Sequence, residues 1–267
     1  MNELAIKFED EDPCSIVGQA LDTCKIQQRA KIQAAEDIMK MQPQVEILVN
    51  HLFHGDMYLR EITIPKDTLL TGRIHKFDHF DIMLSGDVSV SSDDGTLKRL
   101  TGLNIMKGLS GKKRIGYAHE ETHWITVHSA EEQNPEDMYE FLTCGSFEEL
   151  EDFNLALDRL DYFNLVEEMG LSDREIKKQV ENTDDMIVID EGSHALEVRY
   201  SKIHGEGLFT KKKIVKNEVI APSRIGDKRT IAGRYANHAF KPNAEMLIDG
   251  NNVYLVSLCD IDKEMEI

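Results

Sequence analysis

Arg73-Ile74-His75-Lys76-Phe77-Asp78-His79-Phe80-Asp81-Ile82-Met83-Leu84-Ser85-Gly86 is the stretch that decides how most of this chain folds. Its second half is a short apolar run, Asp81 to Leu84, stopped by Ser85-Gly86. Similar alternating runs lie on both sides: Tyr58-Leu59-Arg60-Glu61-Ile62-Thr63-Ile64, Asp87-Val88-Ser89-Val90-Ser91 and Trp124-Ile125-Thr126-Val127-His128. Pro65-Lys66-Asp67, Asp93-Asp94-Gly95 and Ser110-Gly111 separate them with residues that favour chain reversal. Many short strands at regular spacing predict a small antiparallel barrel or sandwich over about residues 45–130.

Outward from that region the pattern becomes helical. Residues 1–44 read as an acidic tail leading into a helix. Val17, Ala20, Leu21 and Cys24, then Ala34, Ala35, Ile38 and Met41, recur at helical spacing, and Pro43 ends the run. Residues 131–192 read as an acidic helical connector. Phe147, Leu150, Phe153, Leu157 and Leu160 form one apolar stripe. Ser172 with Glu175 three residues later predicts a capping box opening a second helix. Residues 193–267 form a third, smaller β-rich piece.

The net charge of −18 is unevenly placed. Between Glu131 and Glu191 there are 20 Asp/Glu against 4 Lys/Arg, whereas from Leu196 onward 12 Lys/Arg face 10 Asp/Glu. That polarity argues against nucleic-acid binding, which needs a net basic face. The acidic stretch reads as a solvated connector or, more sharply, as a docking surface for a basic protein partner. No apolar run is long enough to span a membrane, and no secretory leader is expected. Cys14, Cys24, Cys144 and Cys259 are scattered, as expected of free thiols in a reducing cytoplasm.

The β-rich region resembles a cupin, and more narrowly the cupin-like domains of tailed-phage proteins. The match rests on Ile64-Pro65 through Gly72, on Arg73 through Gly86, and on Ser110-Gly111-Lys112-Lys113-Arg114-Ile115-Gly116-Tyr117. Cupins bind a metal through two His and a Glu of a first motif and a His of a second. Aligned on Gly86, His75 falls on a ligand position and His79 on the Glu position, while Arg73 and Arg114 stand where the other two histidines would be. Two imidazoles can hold a divalent ion. Two guanidiniums oppose a cation and suit a carboxylate or phosphate. A metal-free barrel, structural or anion-binding, is therefore expected; should a metal be present, Asp81 and His119 are the next candidates. His119, His123 and His128 otherwise read as packing or surface residues. The resemblance also implies a homodimer and, for a phage-encoded protein, the host bacterial cytoplasm.

The third piece carries Ser201-Lys202-Ile203-His204-Gly205-Glu206-Gly207-Leu208-Phe209 and Arg234-Tyr235-Ala236-Asn237-His238-Ala239-Phe240-Lys241-Pro242-Asn243-Ala244. In this order they resemble the SET domain of S-adenosylmethionine-dependent protein lysine methyltransferases. The overall expectation is thus an α+β, mainly β chain: cupin-like antiparallel β-barrel, acidic helical linker and small SET-like β-fold. The resemblance implies cofactor binding by His204, Gly205, Glu206, Gly207, Tyr235, Asn237 and His238, with Tyr235 the one aromatic offered for catalysis. Glycines at 205 and 207 would let the backbone approach a ligand closely. Ala239-Phe240 replace the usual Ser-Cys, so no zinc cluster follows.

Ile261 through Ile267 aligns with the family's last motif just before its catalytic tyrosine. The expectation is a chain that binds cofactor yet transfers methyl groups slowly or not at all. Two functions follow: a lysine methyltransferase acting on a protein substrate, or a non-catalytic assembly or binding protein built from both modules.

Overall fold

The computed structural model describes residues 3–7, 25–92, 96–130, 134–188 and 196–267, with only the backbone of residues 25–28 and 173. The chain forms two compact units, Met1–Leu150 and Glu151–Ile267. The expected helical positions Val17 to Cys24, the Asp93-Asp94-Gly95 turn and the junctions at 131 and 192 lie outside the described residues.

Unit 1 is built on two five-stranded antiparallel sheets. One has the order β1 (Leu4–Lys7), β4 (Thr68–Thr71), β10 (Ile115–Ala118), β7 (Asp87–Ser91), β8 (Leu97–Thr101). The other runs β2 (Leu48–His54), β3 (Met57–Ile64), β11 (Thr122–Ser129), β6 (His79–Ser85), β9 (Asn104–Gly108). Ala5, Leu70, Val88, Leu100 and Ala118 of the first meet Ile62, Ile64, Met83 and Trp124 of the second in one core. Among the described residues no pairing joins the sheets, so of the barrel or sandwich that the strand pattern predicts this is a sandwich of two sheets, and the β-barrel implied by the cupin resemblance is not closed.

The stretch read as a tail contributes a strand. Leu4 to Lys7 pair with Thr71 to Thr68, and their alternate residues divide between two cores. Ala5 faces the opposite sheet, whereas Ile6 packs with Leu69, Ile115 and Met39 of helix α1 (Lys25–Met39). Both faces of the first sheet are therefore covered, which explains why all four residues of β4 are buried. The second sheet is covered on one face, so β3 alternates buried with half-buried residues. Its outer face leaves Leu48, Leu52, Phe80, Leu84 and Ile105 exposed.

Two further pieces complete unit 1. Helix α2 (Pro135–Leu142) starts at an Asn134 cap and buries Met138 and Leu142 against Tyr58. Beyond it β12 (Thr143–Cys144) pairs with β5 (Ile74–His75), which fixes where His75 stands.

Helix α3 (Phe147–Glu168) continues into unit 2 and is followed by α4 (Asp173–Glu181). The capping box at Ser172 and Glu175 is present with both reciprocal bonds. The apolar stripe is buried only at its start: Leu150 is covered, but Leu160 is exposed. Hairpin β13–β14 (Leu196–Tyr200, Glu206–Thr210) stands apart from a four-stranded sheet ordered β16 (Lys228–Arg229), β15 (Val219–Ile225), β18 (Asn252–Ser257), β17 (Ala244–Asp249). Leu196, Leu208, Ile214, Ile220, Leu255, Ile261 and Ile267 form the core between them, joined by Ala232 of the short helix α5 (Ile231–Tyr235). No described helix is long and apolar enough to cross a membrane.

Candidate functional site

Unit 1 holds a cavity of 130 Å³ between its sheets. Strand alternation delivers its polar lining. His79 and Asp81 line it from one face of β6, which Met83 shares, and Trp124 and Thr126 from one face of β11, which His128 shares. The pairs Trp124–Met83 and Thr126–Asp81 set the register, and continuing it brings His128 beside His79. His75 enters from β5.

The three imidazoles stack, with ring centres 4.0 Å apart for His75 and His79, 4.7 Å for His79 and His128 and 5.0 Å for His75 and His128. One ring nitrogen of each lies within 4.8 Å of the others. His75 Nδ1 is 3.1 Å from His128 Nε2. His79 donates its Nδ1–H to the Phe77 carbonyl at 3.1 Å. Burial, then the other two imidazoles, holds His75 well below the usual histidine range. Burial and His79 bring His128 down to about 4. Both are therefore neutral at pH 7, with lone pairs available.

The cations around this cluster are matched by carboxylates. Arg114 donates to Asp81 at 2.7 Å, and the Trp124 indole N–H reaches the other Asp81 oxygen at 3.0 Å. Burial would raise the Asp81 carboxyl, but the His79 hydrogen bond and Arg114 outweigh it and hold Asp81 at about 2. Arg73 forms a two-pronged pair with Glu140, at 3.0 and 3.3 Å, and Arg60 is buried against Glu3 at 2.6 Å. The two arginines expected to suit an anion are thus both already engaged.

His119 lies outside the cluster, bonded to Ser89 at 2.8 Å, and His123 stands near Glu61 and Glu121. His128, read from sequence as a packing residue, is the member that reading missed. The signal that could have found it is the two-residue period from Trp124 through Thr126.

In unit 2 the residues expected at a cofactor site gather around one side chain. Asn237 donates its amide N–H groups to the carbonyls of His204 and Glu206, each at 3.3 Å, and to Glu266 at 2.9 Å. Asn243 donates to the Glu266 carbonyl at 2.7 Å, and Ile267 N–H to the Leu208 carbonyl at 2.8 Å. The loop after α5 is so tied to the 201–206 turn and to the 264–267 segment. Gly205 adopts φ +54° with open space where a side chain would be. At Gly207 a Cβ would stand 2.2 Å from the Glu266 carboxylate. Tyr235 packs against the unit's core.

Helix α3 engages the same loops. His238 Nε2 lies 2.7 Å from Asp161, Asp158 accepts the Phe240 N–H at 3.0 Å, and Tyr162 stacks on His204 at 4.5 Å. Burial, then Asp161 and Glu266, raises the Asp158 carboxyl against the Phe240 bond.

No protein-family model and no curated protein matches the chain. Solved structures similar to it include the EutQ protein of Clostridium difficile, 14% identical over 33% of this chain and 70% of that one, with a TM-score of 0.28. A cupin superfamily protein from Desulfitobacterium hafniense is 10% identical over 35% of this chain and 86% of that one, TM-score 0.28. An RmlC-like cupin family protein with a double-stranded β-helix fold, from Methanocaldococcus jannaschii, is 12% identical over the same shares, TM-score 0.28. The likeness is to a cupin-like fold over part of the chain and goes no further.

Proposed function

We propose that unit 2 is a SET-type, S-adenosylmethionine-binding module directed at lysine side chains of a protein. The observation that carries this reading is the Asn237 junction. One amide ties the loop after α5 to the Gly205–Gly207 turn and to Glu266, where the family resemblance expects a threaded loop to build the cofactor pocket. The bare turn at Gly205 leaves room for a ligand against the backbone.

Bound S-adenosylmethionine would supply a sulfonium methyl: a neutral lysine amine gives its lone pair to that carbon, the C–S electrons stay on sulfur as a thioether, and the amine's proton goes to solvent. The chain's own contribution is to orient the loop through Asn237 and to offer the His238 imidazole and the 204–207 backbone as hydrogen-bonding groups. The acidic residues of α3 suit a basic protein as the acceptor's carrier.

The alternative is a non-catalytic binding or assembly protein. It is favoured by Asp158, Asp161 and Tyr162, which already occupy Phe240, His238 and His204. Titration with S-adenosylmethionine and its demethylated product, read by calorimetry and melting temperature, separates the two. Saturable binding that Asn237→Ala abolishes supports the cofactor module. No binding at millimolar ligand leaves the binding-protein reading.

A further inference from the structure

The geometry of unit 1 points to a divalent-metal site formed by His75, His79 and His128, in which His128 supplies the third imidazole. Two nitrogens bound to one tetrahedral ion, with bonds of about 2.0–2.1 Å, stand roughly 3.3 Å apart. His75 Nδ1 and His128 Nε2 are 3.1 Å apart, and a ring nitrogen of His79 lies within 4.8 Å of both. A simple imidazole-to-imidazole hydrogen bond also fits the shorter distance, but it does not account for the third ring. His79 donates Nδ1–H to the Phe77 carbonyl, which directs Nε2 toward Asp81 Oδ1 at 3.5 Å; a metal would take Nε2 in place of the proton shared with that carboxylate. His128 Nδ1 is buried with no hydrogen-bond partner, so the polar engagement of that ring is through Nε2, toward His75.

The cupin resemblance puts Arg73 and Arg114 where ligands would stand, which argues against a cation. Pairing removes that objection. Arg73 is neutralised by Glu140, Arg114 by Asp81 and Arg60 by Glu3. His128 lies outside both motif stretches and is brought in by the register of β11 on β6. Asp81, whose Oδ1 is 3.5 Å from His79, is the carboxylate beside the trio. Three imidazoles select borderline ions such as Zn, Co or Ni over Mg or Ca, which need oxygen ligands.

The test uses the full chain, stripped of metal by chelator and titrated with Co²⁺. The expected result is one equivalent bound, with the visible absorption of a low-coordinate site, displaced by Zn²⁺ and unaffected by Mg²⁺. His128→Ala should weaken Co²⁺ on the order of 100-fold or more, and His123→Ala, on the other face of β11, should change nothing. Because His128→Ala could impair folding, histidine ¹⁵N NMR of the unaltered chain gives a second reading: Zn²⁺ should shift three imidazoles together. Absence of stoichiometric Co²⁺ binding, full affinity in His128→Ala, or Zn²⁺ shifts confined to other histidines would each overturn the site.

Discussion

The two units place their chemistry on different kinds of scaffold. In unit 1 the candidate groups stand on strands, inside a sandwich whose register sets their spacing, with the carboxylates Glu3 and Asp81 buried against Arg60 and Arg114. In unit 2 they sit on a turn and a loop, held by a few side-chain bonds to backbone groups that are partly or wholly exposed. A strand-borne site should fail only with its sheet. A loop-borne site can loosen while the fold persists.

Trp124 makes this difference measurable, because it is the chain's one tryptophan and lies in the core of unit 1. Its fluorescence reports that unit alone, and circular dichroism reports both. The largest effect should come from Glu3→Ala. It strands Arg60 as a buried unpaired charge and should cost about 3–5 kcal/mol in the fluorescence-detected denaturant transition. A shift below 1 kcal/mol would mean that the β1 segment is dispensable to the sandwich.

Acid should separate the units next. In chelator-treated protein the unfolded chain's histidines take up protons below pH 6.5, whereas folded His128 does so only near 4 and folded His75 is also depressed. The stabilisation is therefore complete above pH 6.5 and is lost as pH falls toward 4, by on the order of 3 kcal/mol for His128. In unit 2 the Arg229 hydrogen bond depresses Asp185, whose contribution declines only below pH 3.8. A tryptophan transition that is flat between pH 6.5 and 4 would contradict the neutral cluster.

Asn237→Ala should cost about 1–2 kcal/mol in unit 2, since water can reach the released acceptors, while ligand binding disappears. Equal loss of stability in the tryptophan signal would break the separation of the units. Smallest of all, Lys213→Ala removes an exposed pair with Asp260 and should change stability by less than about 0.5 kcal/mol.

The strands of unit 1 were legible wherever one face is covered and one is not. Asp87–Ser91 was read to the residue, and the runs at 58–64 and 124–128 each fall within a longer observed strand. Ser172 and Glu175 announced their helix because a capping box is a local bargain between two side chains and two backbone groups. What escaped was non-local. β1 is only four residues long and is stabilised by β4 and α1 rather than by its own pattern. The division into two sheets depends on which edges remain unpaired, and no spacing along the chain records that. The stripe on α3 has the right period, yet Leu160 meets solvent, because periodicity describes a face without supplying a partner for it. His75 and His79 stand in a motif; the two-residue period puts His128 on the inner face of its strand, but only the register of β11 on β6 sets it beside them.

Gly108 shows what a catalogue of functional groups would miss. It pairs with His79 across β6 and β9, and a Cβ there would stand 2.2 Å from His79 Nε2, the atom that the proposed site would offer to a metal. One added methyl group would have to push the imidazole aside. The packing of the three imidazoles therefore depends in part on an absence: a scan of polar residues would pass over this position, and a single alanine there could break the cluster without altering any of its histidines.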